Sequence, residues 1–136
     1  MTILSFHPSS VYNPLMPRIL IVEDDAATRM TLAKHLTNLG HTPTLAANGW
    51  EGLLSLEKDS ADLILLDMVM PGMNGPVFLK VLRADPRHAK IPVIIMTAQD
   101  TETAAFNSRE FNVASIVPKS ADLLQKVTQA TREILG

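Results

Sequence analysis

Short apolar runs alternate along the chain with segments whose apolar side chains recur at helical spacing. The apolar runs predict five strands, at 18–22, 42–46, 63–66, 91–96 and 115–117. The first and third runs are almost wholly apolar, which is typical of strands buried on both faces of a sheet. The segments between and after the runs predict five helices, over 26–39, 50–58, 77–84, 101–111 and 121–135.

Five strand–helix units in series predict an α/β fold, a doubly wound parallel sheet with helices on both faces. Right-handed crossovers leave few arrangements, of which the common small one has strand order 2-1-3-4-5 and its ligand site beyond the carboxyl ends of strands 1 and 3. Boundary residues agree with this division, because Gly40 and Asn112 can end helices in the left-handed conformation and Ser120 can cap the last helix. Asn48 and Gly49 indicate a turn before the second helix.

Length and composition narrow the class of protein. A chain of 136 residues with a net charge of −2 fits one folded domain without a general affinity for nucleic acid or membranes. The sequence has no cysteine, which excludes disulfides, zinc–thiolate sites and thiol catalysis and suits a cytoplasmic location. No apolar run is long enough to span a bilayer. We expect residues 1–16 to form a flexible N-terminal extension and residues 17–136 to form the domain.

Polar residues that could form a functional site follow the carboxyl ends of the predicted strands. The first strand is followed by Glu23 and Asp24, the third by Asp67, the fourth by Thr97, and Lys119 lies just after the fifth. The carboxyl ends of parallel strands meet at one edge, so these groups are expected to share a pocket. Clustered carboxylates need a cation, and oxygen ligands suit Mg²⁺. An aspartate beside a bound metal can attack a phosphoryl group, with the lysine and threonine binding the phosphoryl oxygens.

These residues and their neighbours resemble the response-regulator receiver domain, the CheY-like module of two-component signalling. The match covers about residues 17–135. It is carried by Ile19-Leu20-Ile21-Val22-Glu23-Asp24-Asp25, Asn48-Gly49, Leu63-Ile64-Leu65-Leu66-Asp67-Met68-Val69-Met70-Pro71-Gly72-Met73-Asn74-Gly75, Ile94-Ile95-Met96-Thr97-Ala98 and Lys119. The resemblance implies a flavodoxin/CheY-like (βα)5 fold.

The resemblance also implies a role for each site residue. Asp67 would accept phosphate from a phosphohistidine on a sensor histidine kinase or a phosphotransfer protein. Asp24 would touch Mg²⁺ directly, Glu23 would act mostly through water, and the backbone carbonyl of Val69 would complete the protein ligands. Thr97 and Lys119 would bind the acyl phosphate. The face formed by helix 4, strand 5 and helix 5 would contact an unknown downstream protein, without direct nucleic-acid contact or membrane insertion.

Two positions depart from the pattern of the family. Receivers commonly have a cis proline after the lysine, whereas Ser120 follows Lys119 here, so that peptide can be trans and the loop rebuilt. Receivers also commonly carry an aromatic ring three residues before the lysine, where this chain has Ile116. We therefore expect phosphorylation to be signalled without the usual aromatic rotamer switch.

Three functions remain open from the sequence. The first is a phosphorylatable receiver without an output domain of its own, since the chain ends at Gly136 directly after the fifth predicted helix. The second is an interaction module with the receiver fold that signals without phosphorylation. The third is an aspartate-based phosphatase, but such enzymes place a second aspartate two residues after the nucleophile, where this chain has Val69. We therefore expect no enzyme activity beyond slow autodephosphorylation.

Overall fold

The computed structural model describes residues 16–136, so the prediction for the N-terminal extension falls outside the described residues, Met16 excepted. The elements in chain order are β1 (Arg18–Val22), α1 (Ala26–Asn38), β2 (Thr42–Ala46), α2 (Gly49–Lys58), β3 (Leu63–Asp67), α3 (Gly75–Ala84), β4 (Val93–Thr97), α4 (Thr101–Ser108), β5 (Ser115–Pro118) and α5 (Leu123–Leu135). None of the helices in this part of the chain combines the length and the apolar character that crossing a membrane requires.

The five strands form one parallel sheet in the order β2-β1-β3-β4-β5, which confirms the predicted topology. Alternate residues of the strands point to opposite faces, so each apolar run supplies both layers of the core. One layer packs against α2 and α3 and contains Leu20, Leu66 and Phe78. The other packs against α1 and α5 and contains Ile21, Leu65 and Val127. β3 is buried along its whole length, as its continuous apolar sequence requires.

Helices α1 to α4 start where an asparagine or aspartate side chain accepts a hydrogen bond from a backbone amide of the first turn, which has no partner within the helix. Asn48 accepts from Glu51 N at 2.9 Å and Asn74 from Val77 N at 3.0 Å. Consequently α2 and α3 begin at glycine, at residues 49 and 75, before the predicted starts at 50 and 77. The prediction that Ser120 caps the last helix was wrong. Its hydroxyl donates to Asp122 Oδ1 at 2.6 Å, and a turn precedes α5, which begins at Leu123.

Other boundaries moved by two or three residues. β4 begins at Val93, after Pro92, and not at residue 91. α4 ends at Ser108, and not at residue 111. The left-handed positions are confirmed, with φ +93° at Gly40 and φ +51° at Asn112.

Candidate functional site

The acidic residues after β1 lie at the carboxyl edge of the sheet. Glu23 is fully buried, and its amide donates to the carbonyl of Ala46 at 3.0 Å, which continues the pairing of β1 with β2. Its carboxylate Oε2 accepts from the amide of Asp25 at 3.0 Å. Asp24 is exposed beside it. The backbone therefore buries one carboxylate and leaves its neighbour open to solvent.

Asp67 is the last residue of β3 and is only 2% exposed. Its Oδ1 accepts from the amide of Val69 at 3.1 Å, which leaves Oδ2 to face the site. Carboxylate oxygens of Glu23, Asp24 and Asp67 come within 4.8 Å of one another. The three acidic side chains that the sequence predicted to converge therefore do so.

Lys119 lies just after β5 and reaches across the sheet edge into this cluster. Its Nζ lies 2.5 Å from Glu23 Oε1 and 3.1 Å from Asp67 Oδ2. Its amide donates to the carbonyl of Thr97 at 2.7 Å, which fixes the backbone of the loop. No peptide bond in residues 16–136 is cis, so the Lys119–Ser120 bond is trans. With this trans peptide, the loop directs the ammonium group to Asp67.

Thr97 ends β4, the strand next to β3, and is fully buried. Its hydroxyl oxygen accepts from the amide of Gln99 at 2.9 Å, which leaves the hydroxyl proton available to another acceptor. Val69 follows Asp67 in the loop after β3, and its side chain is 53% exposed. An open cleft next to Val69 is lined on one side by this loop, with Met70, and on the other by Gln99, after β4, and Asn107 of α4.

The electrostatics of the cluster show an excess of negative charge. Burial raises the pKa of Asp67 to about 7, and its neighbours Asp24 and Glu23 add to the rise, while the amide of Val69 opposes it. The hydrogen bond with Asp67 lowers the pKa of Asp24. Burial alone would lower the pKa of Lys119, but its contacts with Glu23 and Asp67 raise it overall. One ammonium group therefore faces three carboxylates and does not neutralise them.

The donor set fits a hard divalent cation. Three carboxylates within 4.8 Å of one another offer the oxygen ligands that Mg²⁺ prefers. Burial raises the pKa of Asp67 most, and the neighbouring Asp24 and Glu23 raise it further, so a second positive charge at this place would stabilise the ionised carboxylates. The arrangement can therefore hold Mg²⁺ on its acidic side and an anion on its Lys119 side.

The sequence did not reveal that Arg29 positions the backbone of the acidic pair. Arg29, from the second turn of α1, donates through Nη1 to the carbonyl of Glu23 at 2.8 Å. Asp25 caps α1 by accepting from the amide of Thr28 at 2.9 Å and its hydroxyl at 2.6 Å. Helical spacing alone places Arg29 one turn from the strand end, but it does not tell which backbone oxygen the guanidinium reaches.

Comparison with known proteins identifies relatives. A family model described as the response regulator receiver domain matches residues 19–131. The PilH protein of Pseudomonas aeruginosa is 40% identical over 88 residues, which are 65% of this chain and 73% of that protein. The DNA-binding transcriptional regulator NtrC of Salmonella typhimurium is 35% identical over 116 residues, which are 85% of this chain. The chain spans only 24% of the length of NtrC.

Solved structures give the same result for the fold. The phosphorylated cyanobacterial phytochrome response regulator RcpA superposes with a TM-score of 0.80 at 27% identity, covering 89% of this chain and 95% of that chain. A Mn²⁺-bound response regulator superposes with a TM-score of 0.75 at 25% identity, covering 85% of this chain and 91% of that one. Because the family model spans most of the chain and the site residues lie within it, the chain belongs to the response regulator receiver domain family.

Proposed function

We propose that Asp67 accepts a phosphoryl group from a phosphohistidine of a sensor histidine kinase or of a phosphotransfer protein. Receiver domains are signalling domains of two-component systems that interact with such proteins. The observation that carries the proposal is the buried Asp67 carboxylate, with Lys119 Nζ at 3.1 Å and the Glu23 and Asp24 carboxylates beside it. One nucleophile, one fixed cation and a place for a second cation are what phosphoryl transfer to a carboxylate needs.

The proposed reaction uses each group of the cluster. An oxygen of Asp67 attacks phosphorus, the bond from phosphorus to the histidine nitrogen breaks, and the imidazole keeps the electron pair and takes up a proton. The product on this chain is an acyl phosphate. Lys119 then binds one phosphoryl oxygen, and the Thr97 hydroxyl, which now accepts from Gln99, donates to another. The amide of Val69 holds the other oxygen of Asp67 in place during attack.

The proposed metal ligands are the carboxylates of Asp24 and Asp67, the backbone carbonyl of Val69, and Glu23 acting mostly through water. When bound, Mg²⁺ supplies the positive charge that offsets the carboxylates and the phosphoryl oxygens. The phosphorylated and Mn²⁺-bound forms of the two solved relatives support this assignment by analogy. A relay fed by an ATP-dependent kinase also implies a cytoplasmic location.

The signal is proposed to leave through the face formed by α4, β5 and α5, by contact with a downstream protein. Ile116, in β5, is partly buried and packs against the core beside α4. A branched aliphatic side chain cannot swing a ring between two positions. We therefore propose that movement of the loop between β4 and α4, which directly follows Thr97, carries the change to this face. An interaction module that never becomes phosphorylated is not favoured, because the matching family model is that of the response regulator receiver domain and the solved relative RcpA is phosphorylated.

The test is incubation of the chain with Mg²⁺ and acetyl phosphate, followed by intact-mass measurement. We expect one acid-labile phosphoryl group on the parent protein and none on Asp67→Ala. Failure to label the parent would favour the interaction module. Labelling that survives Asp67→Ala would refute the site, and multiple turnover of acetyl phosphate would instead indicate a hydrolase. Glu110→Gln, which alters an exposed carboxylate just after α4, is the matched control and should label normally.

A further inference from the structure

A second cluster of metal-ligating side chains lies at the opposite edge of the sheet from Asp67. Glu57 lies in the last turn of α2, Asp85 directly follows α3 as its C-cap, and His88 follows in the loop before β4. Helices of a parallel sheet run back to the amino edge of the strands, so both helix ends point away from the phosphorylation site. One carboxylate oxygen each of Glu57 and Asp85 and one ring nitrogen of His88 lie within 4.8 Å of one another.

His88 is the residue that the fold leaves unexplained. It is only 7% exposed, yet neither of its ring nitrogens has a hydrogen-bond partner within residues 16–136. Its Nε2 points between the two carboxylates, 3.9 Å from Glu57 Oε2 and 4.0 Å from Asp85 Oδ2. These distances are too long for hydrogen bonds. A buried imidazole that makes no hydrogen bond loses its hydration without a hydrogen bond to replace it.

The same two oxygens already attract a cation of the chain itself. Arg87 Nη2 lies 2.6 Å from Glu57 Oε2 and 2.7 Å from Asp85 Oδ2. The Arg87 side chain is 61% exposed, so it can move into solvent without disturbing the core. The Arg87 amide also donates to Asp85 Oδ1 at 3.0 Å, which orients Oδ2 toward His88. A guanidinium group offers only donors, so it satisfies the carboxylates and provides no acceptor for a ring N–H of His88.

We propose that Glu57, Asp85 and His88 form a binding site for a divalent transition-metal ion of the Zn²⁺ type, in which the metal takes the place of Arg87. Imidazole nitrogen with two carboxylates is a donor set that Zn²⁺ accepts, with a solvent molecule as fourth ligand. Bonds of about 2.1 Å in a tetrahedral site place donor atoms ~3.4 Å apart. The separations of the two carboxylate oxygens from His88 Nε2, 3.9 Å and 4.0 Å, each exceed this by about 0.5 Å. The side chains of Glu57 and Asp85 are 54% and 29% exposed, so both carboxylates can move by this distance once Arg87 leaves them. Mg²⁺, which prefers oxygen ligands, would not compete well.

The metal would join the end of α2 to the end of α3 across an apolar groove. The groove has a volume of about 290 Å³ and is lined in part by Trp50, Leu54 and Val81. Trp50 is the single tryptophan of the chain and is 63% exposed there. Its fluorescence therefore reports changes in this groove.

The test is titration of the whole chain with Zn²⁺ in excess Mg²⁺, which occupies the Asp67 pocket, with calorimetry and Trp50 fluorescence as readouts. We expect one Zn²⁺ per chain. His88→Gln and Glu57→Gln should each weaken this binding by at least about 10–100-fold. Arg87→Ala should tighten it, because a competing cation is removed.

Two controls keep the result specific. His41→Gln alters another histidine, remote from the groove, and Asp67→Asn alters the acidic pocket; neither should change the Zn²⁺ affinity. Unchanged affinity in both His88→Gln and Glu57→Gln would overturn the proposal, as would loss of the Zn²⁺ in Asp67→Asn. Weaker binding in Arg87→Ala would overturn the exchange of the metal with Arg87. Glu57 is exposed, so the test holds even if the buried His88 substitution unfolds the chain.

Discussion

The metal-free protein is expected to gain stability when the buried Asp67 carboxylate is replaced by the isosteric amide in Asp67→Asn. Burial and the neighbouring carboxylates raise the pKa of Asp67 from 3.8 to about 7. At a pH between these two values, Asp67 is protonated in the folded state and ionised in the unfolded chain. The stabilisation from this proton is therefore fully present below about pH 4 and is lost as the pH rises through about 7.

The size of the effect follows from the shift. About three pKa units at ~1.4 kcal/mol per unit set an upper limit of about 4 kcal/mol. The raised pKa already includes the favourable contacts of the carboxylate, that with Lys119 Nζ at 3.1 Å and that with the Val69 amide at 3.1 Å. The Lys119 side chain is 20% exposed, and screening by solvent at this edge of the pocket lowers the effect below the limit. The expected gain for Asp67→Asn near pH 8 is therefore about 1–3 kcal/mol.

Urea unfolding in EDTA, followed by Trp50 fluorescence at several pH values, measures this gain. The difference between Asp67→Asn and the parent should shrink as the pH falls below about 7 and should vanish near about pH 4. Saturating Mg²⁺ should stabilise the parent and have a smaller effect on Asp67→Asn. The control Glu110→Gln should follow the parent throughout. A variant no more stable than the parent near pH 8, or a difference independent of pH, would refute the reasoning.

Three further predictions concern the residues that support the site. Gly75→Ala would place its Cβ 2.8 Å from the Cα of Met68, the residue after Asp67, so it should destabilise the protein by about 1–3 kcal/mol in urea unfolding and slow labelling by acetyl phosphate. Arg83 donates to three loop carbonyls at 2.8 to 2.9 Å, so Arg83→Met should lower the free energy of unfolding by about 2–4 kcal/mol. Lys80→Met is the exposed control in the same helix, and a smaller loss of stability in Arg83→Met than in Lys80→Met would contradict the prediction. Val69 offers no polar side chain to orient an attacking water molecule, so the phosphorylated protein should persist in intact-mass time courses. Loss of the phosphoryl group within seconds would contradict this prediction.

The order of the elements was predictable because each apolar run of the sequence is a strand that both layers of the core require. Strand ends were equally visible, since Asp67 and Thr97 interrupt apolar runs at the points where the sheet stops. The first residues of the helices were harder to predict from the sequence. Gly49 and Gly75 have low helix propensity, and the asparagine cap before each of them decides the boundary.

The sequence predicted which residues form the site, but it did not predict the contacts between their side chains. Glu23, Asp24, Asp67 and Lys119 all reach one pocket because parallel strands end together. The sequence could not tell that Lys119 contacts Glu23 more closely than Asp67, because that depends on the trans peptide and the hydrogen bonding of its loop. Long-range side-chain contacts to backbone, such as Arg83 to the loops around β4, leave no periodic signal in a sequence.

The assignment of Asp67 as the phosphate acceptor is tested most directly by trapping the modified residue. After labelling with acetyl phosphate and Mg²⁺, borohydride reduces an acyl phosphate to the alcohol, which converts the modified aspartate to homoserine. Peptide mass spectrometry then locates it. The proposal predicts homoserine in place of Asp67 and unmodified Glu23, Asp24 and Asp25. Reduction at another carboxylate, or none in a protein that carries the phosphoryl group, would contradict it.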